Sequence, residues 1–242
     1  MIDSIILQAE KAYGITLLGM LSMEYPNLNI ILVNDLSELI AIPFSTLKKS
    51  RLISFSSSNI VPAKILSLLG YGAYNFHPGP PSRPGWGAIE KAIYDQDQAF
   101  GTTLHAMNEY VDSGPIIAIN LFPIPAGCNR KTLSDLAFQN LLNLFTQHLK
   151  ELVQSTHDLI ELPIEWGHKK FTRRDYSAYC IITEDIDRSE LELRIRAFQA
   201  PFRPAIRFQK DGTVYVLANQ EEEYSSTLKS HTLHGHTFIE SS

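Results

Sequence analysis

Cysteine is scarce in this chain: Cys128 and Cys180 are the only two in 242 residues. They form no CxxC or Cys/His spacing, so neither a structural zinc site nor a disulfide-stapled fold is expected, and two idle thiols in a reducing cytosol are. No apolar run approaches the ~20 residues of a membrane span, and Asp3, Glu10 and Lys11 interrupt any cleavable signal pattern at the amino terminus. A cytoplasmic protein with no membrane partner is the expectation. Positive charge is in deficit, with 21 Lys and Arg against 26 Asp and Glu and a net charge of −5. That balance gives no electrostatic reason to bind nucleic acid. Internal repeats and low-complexity tracts are missing, and Gly70-x-Gly72 precedes a strand and lacks the third glycine of a dinucleotide loop.

What is present is an ordinary globular composition, 44% hydrophobic and 19% charged. The first third alternates short apolar runs with helical stretches. Strands are predicted at Ser4–Gln8, Asn29–Val33 and Arg51–Phe55, and helices at Glu10–Glu24 and Pro62–Leu69. This alternation predicts an α/β fold with a mostly parallel central sheet. Further on, a short helix is expected at Ala88–Tyr94 and strands at Phe100–Met107 and Pro115–Ile124. Lys131–Gln154 is the clearest helix, with Leu133, Leu136, Ala137, Leu141, Leu144, Phe145 and Leu149 on one stripe.

The most informative segment runs from Tyr74 to Gly87. Gly72–His77 reads as the end of a strand, which puts Asn75 and His77 on one face. Pro78, Pro80, Pro81 and Pro84, with Gly79, Gly85 and Gly87, then force an irregular loop over that face. Open α/β sheets place ligand sites at such strand ends. An imidazole exchanges protons near neutral pH, a carboxamide donates to a developing oxyanion, and the carboxylate of Asp112 can orient the ring. In isolation each of these residues is more simply a turn or surface group. His105 reads as packing.

Asn75-x-His77, the Pro/Gly loop and Val111-Asp112-Ser113-Gly114-Pro115-Ile116 together resemble the folate-dependent formyltransferase family, most strongly from Phe55 to Val153. The resemblance implies a Rossmann-like domain that transfers a formyl group from N10-formyltetrahydrofolate, its co-substrate, to the amine of a small acceptor. It implies Asn75, His77 and Asp112 as the catalytic triad, with no metal. It also implies a cofactor-binding wall at Ser58, Asn59, Ile60 and Val61, faced by Tyr110 and Val111. Two departures stand out: the chain reads His77-Pro78-Gly79 where many members carry Ser two positions after the His, and Ile2–Ala9 lacks the usual glycine turn.

The catalytic domain is expected over residues 1–158 and a small α+β accessory region over 159–242. In the latter, Ser189–Phe198 predicts a helix capped by Ser189 or Asp187, and Ala205–Phe208 with Val214–Leu217 a hairpin around Asp211-Gly212. Its exposed strand is a candidate for pairing in a homodimer. His231, His234 and His236 fall in what reads as a frayed polar tail. Residues 168–174 form the only basic cluster, an anion site or a solvated face, and Trp86 reads as a lid, a stacking platform or a loop anchor. Alternatives to the small-acceptor transferase are methionyl-tRNA formyltransferase, a formyltetrahydrofolate hydrolase and a non-catalytic folate-binding protein.

Overall fold

Short β-branched and leucine-rich runs separated by helices build this chain, and the computed structural model describes residues 2–200, 203–218 and 229–241 of it. In chain order the elements are β1 (Ser4–Ala9), α1 (Lys11–Glu24), β2 (Asn29–Val33), α2 (Leu36–Ile40), α3 (Phe44–Leu47), β3 (Ser50–Phe55), α4 (Ala63–Leu66), β4 (Ala73–His77), α5 (Ala88–Tyr94), β5 (Ala99–Ala106) and β6 (Ile116–Pro123). They continue with α6 (Arg130–Gln154), α7 (Arg173–Tyr179), α8 (Arg188–Phe198), β7 (Arg207–Lys210), β8 (Thr213–Leu217), β9 (Ser230–Leu233) and β10 (His236–Glu240). Two compact units result, each assembled from non-consecutive segments.

The first unit comprises Met1–Gly85, Ala99–Pro123 and Asp135–Lys170. Its six-stranded sheet has the order β2-β1-β3-β4-β5-β6. The first four strands are parallel and the last two antiparallel. The chain leaves β1 to one side for β2 and returns to the other for β3, so the topological switch lies between β1 and β3, where open α/β sheets bind ligands. One face of the sheet carries Ile5, Leu7, Ile53, Phe55, Tyr74, Phe76 and Leu104, buried against the Leu141, Leu144, Phe145 and Leu149 stripe of α6. The opposite face carries Ile6, Leu52 and Ala73, packed with Leu39, Leu47 and Ile65 of the short helices. Arg51 is also fully buried, its guanidinium donating to the carbonyls of Tyr71 and Leu152.

The second unit comprises Trp86–Gln98, Ile124–Ser134 and Phe171–Ser242. It holds a four-stranded antiparallel sheet of order β7-β8-β10-β9. Here the frayed tail expected from the sequence is corrected. β9 and β10 form a hairpin because Leu233 and Phe238 bury on the core side, while His234 and Gly235 supply the positive φ angles (49° and 91°) of a tight turn. Asp211 and Gly212, at φ 48° and 79°, do the same between β7 and β8. Helix α7 was not expected from the sequence; it begins on a reciprocal capping box between Thr172 and Asp175. No helix among the described residues is long and apolar enough to cross a membrane.

Candidate active site

Alternation along β4 decides where the polar groups go. Tyr74 and Phe76 enter the α6-side core, which turns Ala73, Asn75 and His77 to the other face. The antiparallel neighbour β5 sets His105 directly opposite Asn75 and Thr103 opposite His77. Asn75 Nδ2 lies 3.1 Å from His105 Nε2, and His105 Nδ1 lies 2.8 Å from the Ala106 carbonyl. With Nδ1 protonated, His105 donates to that carbonyl and its Nε2 accepts from the Asn75 amide.

Asp112 arrives from the loop between β5 and β6. This loop leaves at the start of β4, since β5 runs antiparallel to it, and folds back over the polar face. Asn108 Oδ1 pins the turn by accepting from the Tyr110 N–H (2.9 Å) and the Ser113 hydroxyl (2.7 Å). Asp112 itself sits at φ +43°, a left-handed conformation uncommon for a residue with a side chain. Gly114 is required for a different reason: a Cβ there would stand 1.9 Å from the Ala106 carbonyl oxygen. The result is a tight cluster in which Asp112 Oδ2 accepts from the Gly85 N–H at 2.7 Å and lies 3.4 Å from His77 Nδ1, while Oδ1 lies 3.4 Å from His105 Nε2. The other nitrogen of His77, Nε2, lies 3.2 Å from the Arg83 carbonyl in the Pro/Gly loop.

All three ionisable groups are buried, His77 and Asp112 at 5% exposure and His105 at 3%. Burial pushes the His77 imidazole below its usual range, and the Asp112 charge only partly offsets this. Burial alone would raise the Asp112 carboxyl, but the His77 charge, the adjoining His105 ring and the Gly85 N–H overcome it and hold the pKa at about 2. Both folded-state pKa values are therefore depressed. Each contributes stability that is present above the unfolded pKa and lost as pH falls below it. Stability is expected to decline first below about pH 6.5, as His77 protonates in the unfolded chain, and again below about pH 4 from Asp112. Asp112→Asn is expected to shrink the second decline, with Asp35 and Asp187, whose capping hydrogen bonds also hold their carboxyls low, keeping part of it. Denaturation midpoints measured from pH 7 to pH 3 check this, and an unchanged acid limb in the variant would contradict it.

Two further side chains complete the cluster. His105 was expected to be packing and instead contacts both Asn75 and Asp112. Trp166 covers the two imidazoles edge-on, with ring centroids 5.7 Å from His77 and 4.9 Å from His105, and its Nε1 donates to the Gly114 carbonyl at 2.7 Å. The register of an antiparallel pair would have revealed His105; no local signal marks Trp166.

Of the expected cofactor wall, Ile60 (64% exposed), Tyr110 (65%) and Val111 offer apolar surface to solvent, and Ser58 is exposed. Asn59 ties its loop to β2 through the Asn34 carbonyl at 3.1 Å. The Val61 side chain is buried in the core, so only its backbone can face a ligand. Trp86 is a loop anchor in the second unit: the Arg203 guanidinium lies 3.9 Å from its ring centroid and Tyr176 meets it edge-on. The basic cluster is divided in its use, Lys170 donating to the Val111 carbonyl and Arg173 opening α7. Among the described residues no group of His, Cys, Asp and Glu has the geometry to hold a metal ion.

A half-buried amide, two buried imidazoles and a buried carboxylate meet on one sheet face under a loop, groups of the kind that acid–base group transfer uses. Residues 52–142 match the family model described as formyl transferase. The methionyl-tRNA formyltransferase of Ehrlichia chaffeensis is 30% identical over 160 residues, covering 65% of this chain and 50% of that protein. The chain thus spans about half the length of this curated relative, and 57% of the Dictyoglomus thermophilum enzyme. In fold it resembles a 4-N formyltransferase from Francisella tularensis (TM-score 0.71, 18% identity, 92% of this chain and 99% of that one). It also resembles an N-formyltransferase from Helicobacter canadensis in complex with folinic acid and dTDP-3-aminofucose (TM-score 0.60, 17% identity, 99% of each chain).

Proposed function

We propose that this protein transfers the formyl group of N10-formyltetrahydrofolate to the amine of a small acceptor, with Asn75, His77 and Asp112 as the catalytic residues. The observation that carries this reading is the contact set joining Asp112 to His77, His105 and Gly85 beside the Asn75 amide. The bound co-substrate supplies an electrophilic formyl carbon, to which the acceptor nitrogen bonds as the bond to N10 breaks. Asn75 offers an amide N–H to the developing oxyanion without titrating. Burial keeps His77 neutral near pH 7, free to take the amine proton and pass it on toward N10. As an imidazolium it stands beside an already ionised Asp112 and the Arg83 carbonyl, so its positive charge forms where both acceptors wait. Asp112 is the fixed anion that orients the ring.

The exposed Ile60, Tyr110 and Val111 are suited to a flat, partly apolar pterin, with backbone groups of the Ser58–Val61 loop for its polar edge. That the Helicobacter canadensis relative was crystallised with a folate and an amino-sugar nucleotide supports this pairing of substrates. A shallow cavity of about 520 Å3, lined by Pro80, Pro81, Ile119, Leu121, Ile164 and Trp166, matches a small acceptor in size. Curated relatives of this chain are tRNA enzymes, which keeps methionyl-tRNA as the second reading. The net charge of −5 weighs against it, because phosphate recognition calls for a basic surface.

The test is turnover of N10-formyltetrahydrofolate, followed by tetrahydrofolate release, with and without amino-sugar nucleotides or methionyl-tRNA. Amine-dependent release is expected. Formate production that ignores every amine would identify a hydrolase instead, and binding without release a non-catalytic folate-binding protein.

A further inference from the structure

Strands with neighbours on both sides in a parallel sheet read as unbroken apolar runs. β1 obeys this through Ile5, Ile6 and Leu7 and then breaks it with Gln8, which is 0% exposed. Neither its amide oxygen nor its amide nitrogen has a hydrogen-bond partner among the described residues. An amide buried in this way is a burden on the fold, and such groups in native proteins generally mark function or a bound water.

The register shows where Gln8 points. Gln8 pairs with Ser54 on β3, Ser54 with Asn75 on β4, and Asn75 with His105 on β5. Residues in register across neighbouring strands share a face, so these four form one polar row across the sheet. The row below it is Ile6, Leu52 and Ala73, all apolar. Gln8 and Ser54 also straddle the β1/β3 switch, where ligand sites form in open sheets. Strands sit about 4.8 Å apart, so the backbones of Gln8 and Asn75 are separated by about 10 Å across Ser54. Two amide side chains of that reach, with only a small hydroxyl residue between them, leave room for one bridging water with several polar partners.

We propose that Gln8 is a positioning residue for the formyl-transfer site, holding the Asn75 carboxamide in its working orientation through a buried water seated over Ser54. This inference rests on the function proposed above. One Asn75 N–H is committed to His105 Nε2. A single bond of this kind does not prevent the amide from turning its oxygen toward the reacting centre if His105 changes tautomer. A second hold, from the Gln8 side of the row, removes that freedom.

The test uses Gln8→Met, which keeps length and volume and removes both hydrogen-bonding atoms. Thermal stability is expected to change little, since the Gln8 amide makes no hydrogen bond to another residue of the chain among those described. Against that, kcat is expected to fall about tenfold or more, with KM for the formyl donor unchanged within about twofold. In 15N spectra of the histidine rings, the His105 Nε2 resonance is expected to shift or broaden, a readout that needs no substrate. Gln8→Leu serves as the second apolar variant. Wild-type turnover with kcat and the His105 resonance both unaffected in the variants would overturn the inference alone. So would failure of both variants to fold, because an amide acting only on Asn75 is dispensable for folding. A wild-type protein inactive on every amine, with a His105 resonance that still responds to Gln8→Met, would overturn the proposed function and leave the coupling standing.

Discussion

His77→Ala is expected to lower kcat for formyl transfer by about 10³-fold or more. General acid–base groups alone account for roughly 10²–10⁴ in rate, and in the proposed mechanism His77 also brings positive charge to the reacting centre. The variant should fold. Asp112 keeps the Gly85 N–H and the contact with His105, and Trp166 keeps its bond to the Gly114 carbonyl. The space left by the ring and the weaker pairing of Asp112 are expected to cost about 1–3 kcal/mol of stability, in the range for a buried polar group that loses a partner. KM for the formyl donor should change little, since the exposed apolar surfaces of Ile60, Tyr110 and Val111 lie outside the change. Steady-state kinetics with a circular-dichroism control decide the matter. A folded variant that keeps most of its turnover removes His77 from the mechanism.

Arg51→Met is the largest expected effect on stability, a loss of about 3 kcal/mol or more. Arg51 is completely buried, and among the described residues no carboxylate lies in hydrogen-bond contact with its guanidinium. Instead Nε donates to the Tyr71 carbonyl at 2.8 Å, Nη1 to the Leu152 carbonyl at 2.7 Å and Nη2 to the His157 carbonyl at 3.2 Å. Leu152 lies in the last turn of α6, where a cation meets the negative end of the helix dipole. Methionine fills similar space but leaves several buried carbonyls without a donor, each costing about 1–3 kcal/mol before relaxation. Arg51 thus ties β3 to the end of the helix that covers the α6-side core. Urea unfolding of both proteins checks the figure, and a loss under about 1 kcal/mol would show that water replaces the guanidinium. The specific activity of the folded fraction should not change.

These two residues differ in how far the sequence announces them. Asn75 and His77 were legible because a strand alternates faces and the following loop could be nothing else. Their meeting with Asp112 was legible only through the family resemblance, since no periodicity connects a strand to a turn thirty-odd residues away. His105 escaped because its partner is fixed by antiparallel register, a property of two strands together. Trp166 escaped for the same kind of reason, reaching the imidazoles from beyond α6. Gln8 was present as an anomaly in an apolar run, and only the aligned rows of β1, β3, β4 and β5 give it a direction.

The sheet and α6 followed the pattern of apolar residues closely, with ends displaced by a residue or so. Among the short elements α5, α8 and β8 followed it too, while α2, α7, β9 and β10 did not. α2 and α7 carry readable caps, Asp35 with Glu38 and Thr172 with Asp175, that local attention to capping would have found. β9 and β10 are short and rich in His and Thr, and their two buried residues, Leu233 and Phe238, are too few to show an alternation.

In the proposed reaction a formyl carbon moves from folate nitrogen to an acceptor amine at the Asn75–His77–Asp112 cluster. The most direct measurement follows N10-[13C-formyl]tetrahydrofolate by carbon NMR in the presence of the protein and an amino-sugar nucleotide. The label is expected to leave the folate and reappear as a formamide on the acceptor, with no transfer by the His77→Ala variant. Label that ends as free formate, or that moves equally well without His77, would contradict it.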